Sequence, residues 1–134
     1  MNAPARAAGS YDVVFDSPSA ARAGAFTYRY WINDVAPPAL ALRTPRVKKG
    51  SQIVLAASDR GSGIDPASIV IRIDGDEHSG QYTAGTIRVS TSGLGKGRHS
   101  LHVQVSDYQE SRNMENVGRI LPNTRILQTT FVVR

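Results

Sequence analysis

Nine residues, Ser58-Asp59-Arg60-Gly61-Ser62-Gly63-Ile64-Asp65-Pro66, set the terms for everything around them. They are polar and glycine-rich, and they separate two apolar runs. Ile53-Val54-Leu55-Ala56-Ala57 comes before, and Ile69-Val70-Ile71-Arg72-Ile73 comes after, closed by Asp74-Gly75. Strand, turn, strand and Asp-Gly turn is a pattern of antiparallel sheets, not of helices. Within the turn, Gly61 and Gly63 permit positive φ, and the Asp59 carboxylate is placed to accept hydrogen bonds from the turn's backbone N–H groups.

Further alternating segments obey the same rule. Leu40 and Leu42 point inward from Ala39–Leu42, and Ile69, Ile71 and Ile73 from Ser68–Asp74. Gln81–Thr83 and Thr86–Val89 supply two more strands, and Ser92–Gly97 makes a turn. Leu101, Val103 and Val105 line one face of Arg98–Asp107, and Leu127, Thr129, Phe131 and Val133 one face of Ile126–Arg134. No segment keeps a 3.6-residue period over three turns. About seven strands between Pro37 and Arg134 predict an all-β fold, an antiparallel β-sandwich of immunoglobulin-like (Ig-like) type.

Upstream, residues 1–10 read as a disordered tail or linker, and residues 11–36 as a strand pair. That pair comprises Tyr11–Phe15 and the alternating Ala25–Ile32; it either packs on the sandwich or ends a preceding module. Pro37-Pro38 breaks any ladder and forces an extended joint. The connection Tyr108–Arg125, at 18 residues, exceeds the ~12–15 beyond which a loop usually has structure or a function of its own.

Asp59-x-Gly61-Ser62-Gly63-Ile64-Asp65-Pro66, Ile73-Asp74-Gly75, Leu94-x-x-Gly97-x-His99-x-Leu101 and Val105-Ser106-Asp107 together resemble the bacterial Ig-like repeat family. The resemblance covers residues 37–134. It implies a non-catalytic module of a larger secreted or cell-surface bacterial protein, of the kind found in the C-terminal parts of subtilisin-like peptidases. Its expected partners are neighbouring domains of the same polypeptide, and protein or glycan ligands. Those repeats usually continue past the Asp107 position with a brief Asp-x-x-Gly-Asn hairpin; this chain has the long connection instead.

Composition narrows the partners. The net charge is +5, but eleven acidic residues offset the sixteen basic ones, and only Arg46-Val47-Lys48-Lys49 forms a basic cluster. Nucleic-acid modules carry a basic stripe with interleaved aromatics, so no nucleic-acid partner is expected. No apolar run reaches the length needed for membrane insertion. With no cysteine, disulfides, thiolate-bound zinc and thiol nucleophiles are excluded.

Two constellations remain as sites. Asp59, Asp65, Asp107 and Asn113, with Glu115, supply hard oxygen donors on loops, the ligand type of calcium. Asp59 and Asp107, each ending a strand, are expected at one pole. Their commoner role is turn capping, so no cofactor is required and calcium is the one to test. Tyr28, Tyr30, Trp31 and Tyr108 form either a binding surface for sugar or protein, or the packing between the upstream strand pair and the sandwich. His99 and His102 fall on opposite faces of a strand, which argues against joint metal ligation. His99 and Leu94 bracket a corner where the ring is expected to bond back to the backbone. A Gly-x-Ser-x-Gly elbow is missing, and Gly93–Gly97 leads into a strand, not into the helix a phosphate loop needs, so no enzymatic activity is expected.

Overall fold

The computed structural model describes residues 12, 14–31, 34–112 and 123–134. Its strands are β1 (Ala39–Leu42), β2 (Arg46–Val47), β3 (Gln52–Ser58), β4 (Val70–Ile73), β5 (Asp76–Glu77), β6 (Gly80–Thr83), β7 (Thr86–Ser90), β8 (Gly97–Ser106) and β9 (Thr124–Val133), with one short helix, α1 (Tyr108–Arg112). They form two sheets, ordered β1-β3-β7-β6 and β2-β9-β8-β4-β5. All pairings are antiparallel except β2 with β9.

The alternation read from the sequence is what closes the sandwich. Ile53, Leu55 and Ala57 from β3, with Ile87 and Val89 from β7, are buried from one sheet. Ile71 and Ile73 from β4, Leu101, Val103 and Val105 from β8, and Phe131 and Val133 from β9 meet them from the other. The β4–β5 hairpin turns on Asp74 and Gly75, at φ 54° and 97°, the positive pair of a type I′ turn. At the far corner His99 behaves as expected. Its Nε2 lies 2.9 Å from the Gly95 carbonyl and its Nδ1 2.6 Å from Asp74 Oδ2, and its ring stacks on Phe131 at 5.5 Å.

Two differences from the sequence reading stand out. β2 and β5, two residues each, bring the strands to nine, because a strand that short leaves no periodicity to read. No strand forms among the described residues of 12–31; the one regular element there is a 3-10 turn at Ala20–Arg22. The expected Ala25–Ile32 strand finds no ladder partner over its described part, and Phe26, Tyr28 and Tyr30 stay exposed. Phe15, Phe26 and Tyr28 gather among themselves, with ring centroids 4.7 to 6.4 Å apart.

The His99–Asp74 pair gives a pH prediction. The Asp74 hydrogen bond raises the His99 pKa, and the same bond to His99, helped by the Ser100 N–H, lowers that of Asp74. The His99 contribution is complete below its unfolded pKa of about 6.5 and fades as pH rises through the higher folded value. The Asp74 contribution is present above about 3.9 and fades as pH falls through the lower folded value. Asp74→Asn keeps the turn, since Asn tolerates positive φ. The melting-midpoint difference between wild type and Asp74→Asn is therefore expected to be greatest between about pH 4 and 6.5 and to shrink as pH rises above 6.5 through the raised His99 value. A difference that stays constant across that range would show that no charge pair operates here.

Candidate functional site

The pole where β3 and β8 end is built almost wholly from polar groups, and the extended segment before β1 crosses it. The turn after β3 is shaped by Asp59, whose Oδ2 accepts from the N–H groups of Gly61 (3.0 Å) and Gly63 (2.7 Å). Gly63 has φ +86°, as the turn requires, but Gly61 is not in the left-handed region. Glycine is needed at Gly61 for a different reason: a Cβ there would run into the Asp34 carboxylate.

Asp34 holds the incoming segment down. Its Oδ2 accepts from Ser62 N–H at 2.7 Å, and its Oδ1 from Ala36 N–H at 3.1 Å. The buried Asn123 amide donates to the Asp34 carbonyl at 2.7 Å, and Arg125 Nε donates to the Pro38 carbonyl at 3.0 Å. Further upstream, Trp31 Nε1 donates to Gln109 Oε1 at 2.6 Å. The Arg29 guanidinium donates to the Ser62 carbonyl and lies 4.0 Å over the Tyr108 ring. Such a cation–π contact is worth about 0.5–1 kcal/mol at an exposed site.

Asp107, directly after β8, is the centre of the pole. It bridges to Ile64 and is completely buried. Its Oδ1 accepts from Glu110 N–H at 2.8 Å in the first turn of α1, while its Oδ2 makes no hydrogen bond among the described residues. Asp34, Asp59 and Asp107 each bring one carboxylate oxygen to within 4.8 Å of the other two. Burial, and then the charges of Asp34 and Asp59, push the Asp107 pKa up to about 6, against the Glu110 hydrogen bond. Burial also works to raise Asp34, but the N–H groups of Ser62 and Ala36 outweigh it and hold that carboxyl below its ordinary value. The set is oxygen-only, acidic and held by backbone donors, so it suits a hard cation and lacks the nitrogen or sulfur ligands of zinc.

Asp59 and Asp107 do meet at one pole, as their positions at strand ends predict. Asp65 belongs elsewhere: it caps the 3-10 turn Pro66–Ser68 by accepting from Ala67 N–H, and it accepts from Ser111 Oγ at 2.7 Å. Asn113 and Glu115 lie outside the described residues. Asp34 was missed, because in the sequence it sits in a proline-flanked connector; its Asx bond to Ala36 N–H was the one local signal. The four aromatics divide. Trp31 and Tyr108 bind the incoming segment to the pole, while Tyr28 joins the phenylalanine cluster and Tyr30 projects into solvent. In comparisons with known proteins, no family model, no curated protein and no solved structure matches the chain.

Proposed function

We propose that the chain is a non-catalytic, Ig-like spacer and interaction module of a longer secreted or cell-surface protein. One observation carries this reading: the chain reaches the sandwich at one pole and leaves β9 at the other. β1 begins opposite the end of β3, at the polar pole, with Ala39 paired to Ser58. β9 starts there too, Thr124 against Ser106, and runs ten residues to Val133, which pairs with Gly97 at the far end. Ten strand residues span about 33 Å, so the fold acts as a strut that holds its two poles a fixed distance apart.

The Ig-like assignment draws support from strand order. Lettered along the chain, the sheets read A-B-E-D and A′-G-F-C-C′, with β2 as A′ parallel to β9 as G. This is the division of strands described for immunoglobulin domains, with two added edge strands, A′ and C′. The secreted or surface location rests on the motif resemblance alone. A glycan-binding role has less support, since Trp31 and Tyr108 are engaged by Gln109 and Arg29 and do not form one open platform with Tyr28 and Tyr30.

A strut requires that the entering segment be fixed. The chain has no native cysteine, so Tyr30→Cys with Lys49→Cys gives two clean positions for spin labels at opposite poles. The expected result is one narrow interlabel distance distribution centred at roughly 30 Å or more, the length of β9. A broad or multimodal distribution would overturn the strut, because the approach segment would then be swinging freely.

A further inference from the structure

We infer that Asp34, Asp59 and Asp107 form a binding site for one hard divalent cation, calcium by chemistry, that clasps the segment before β1 to the ends of β3 and β8. The inference concerns the same pole as the spacer reading but does not depend on it.

Three carboxylates converging within 4.8 Å would not suffice by themselves. The second observation is Asp107 Oδ2, an oxygen of a fully buried side chain that makes no hydrogen bond to the described residues. Buried polar atoms are nearly always satisfied, and each exception needs an explanation. Two more carboxylates, of Asp34 and Asp59, stand close to Asp107, and the Asn123 amide beside it is neutral and donates to the Asp34 carbonyl. Among the described residues no Lys, Arg or His forms an ion pair with Asp34, Asp59 or Asp107; the His99–Asp74 pair lies at the other end of the sandwich. Arg29, the nearest candidate on the incoming segment, directs its guanidinium to the Ser62 carbonyl and the Tyr108 ring instead.

The remaining features fit a cation. Each carboxylate is already oriented by backbone N–H donors: Asp59 by Gly61 and Gly63, Asp34 by Ser62 and Ala36, Asp107 by Glu110. Bonds of this kind preorganise metal ligands in the way outer-sphere partners do. Ca²⁺ binds oxygens at about 2.3–2.6 Å, so two oxygens on one ion are at most about 5.2 Å apart, which the observed separation satisfies. Calcium's 6–8 ligands are then completed by water and carbonyl oxygens. The rival occupant is a proton shared between Asp107 and Asp34.

The test starts from metal-stripped protein at neutral pH. Terbium, a luminescent stand-in for calcium, is titrated with excitation through Trp31, the chain's single tryptophan, three residues before Asp34. Sensitised emission is expected to saturate at one ion per chain and to be displaced by Ca²⁺. Calorimetry with CaCl₂ alone is expected to show a single site with Kd of about 1 mM or tighter, and the melting midpoint is expected to rise with Ca²⁺. Asp107→Asn is expected to weaken binding at least tenfold while leaving the metal-free protein folded, because its amide supplies a donor toward Asp34. Should that variant misfold, Asp34→Asn provides the same readout from outside the sheets. The proposal is overturned if roughly 10 mM Ca²⁺ gives neither heat nor a midpoint shift, the outcome expected of a shared proton. It is equally overturned if both variants bind Ca²⁺ like wild type, which would mean an adventitious ion elsewhere. Neither result would alter the interlabel distances that test the strut, so the two readings fail separately.

Discussion

Phe131→Ala is expected to remove about 3–5 kcal/mol from the stability of the sandwich, the range for truncating a fully buried aromatic. Phe131 is among the largest fully buried side chains, at 1% exposure, and it lies on β9 directly opposite His99 of β8. Both the transferred apolar area and the cavity left behind contribute. Domains of this size have a total stability of about 5–15 kcal/mol, so the loss would use about a fifth or more of it. Urea unfolding would show it as a lower midpoint with an unchanged slope. The same change removes the face on which the His99 ring stacks, so the pH-dependent difference between Asp74 and Asn at that turn should shrink in the Phe131→Ala background. A loss below about 1 kcal/mol would mean that the neighbouring side chains collapse into the space, against the close packing assumed for this core. Leu at position 131 fills more of the cavity and should cost less.

How much of this was readable beforehand depends on whether the signal was local. Strands β3, β4, β8 and β9 were visible because burial on one face imposes a two-residue period on a single stretch of chain. The same period misled at Ala25–Ile32, since alternation describes a chain able to join a sheet and does not provide the sheet. There Phe26, Tyr28 and Tyr30 alternate as a strand would, yet no neighbouring strand offers them a ladder. The His99 corner was legible from four residues of spacing. The acidic pole was half legible: Asp59 and Asp107 each announce themselves as the end of a strong strand, whereas Asp34 precedes Asp59 by 25 residues and Asp107 by 73. Only closure of the fold brings it in. Gly61 shows the same limit in miniature. Its sequence context suggested a need for positive φ, and the structure gives it an ordinary φ with an acid pressed against its α-carbon.

That close approach yields the second large effect, at Gly61→Ala. The backbone there accepts alanine, so any cost comes from the Asp34 carboxylate, all three of whose terminal atoms stand where the new methyl must go. One side has to yield. If Asp34 moves, its bonds from Ser62 and Ala36 N–H are lost; if the turn moves, Asp59 loses Gly61 and Gly63. Hydrogen bonds to charged groups are worth about 1.5–3 kcal/mol, and a loss of that order is expected. Gly95→Ala is the control: it meets nothing within 4 Å and needs no positive φ, so it should stay within about 0.5 kcal/mol of wild type. The source of the strain can be isolated with a second change, Asp34→Gly, which clears the space. In that background Gly61→Ala should cost little, giving a coupling energy of about 1 kcal/mol or more. Trp31 reports the direction of movement. Its indole N–H is held by Gln109, so lifting the incoming segment would expose the ring and shift its emission to the red. Equal penalties for Gly61→Ala with and without the Asp34 carboxylate would show that the two do not press on one another, and the clasp of the incoming segment onto the β3 turn would have to be abandoned.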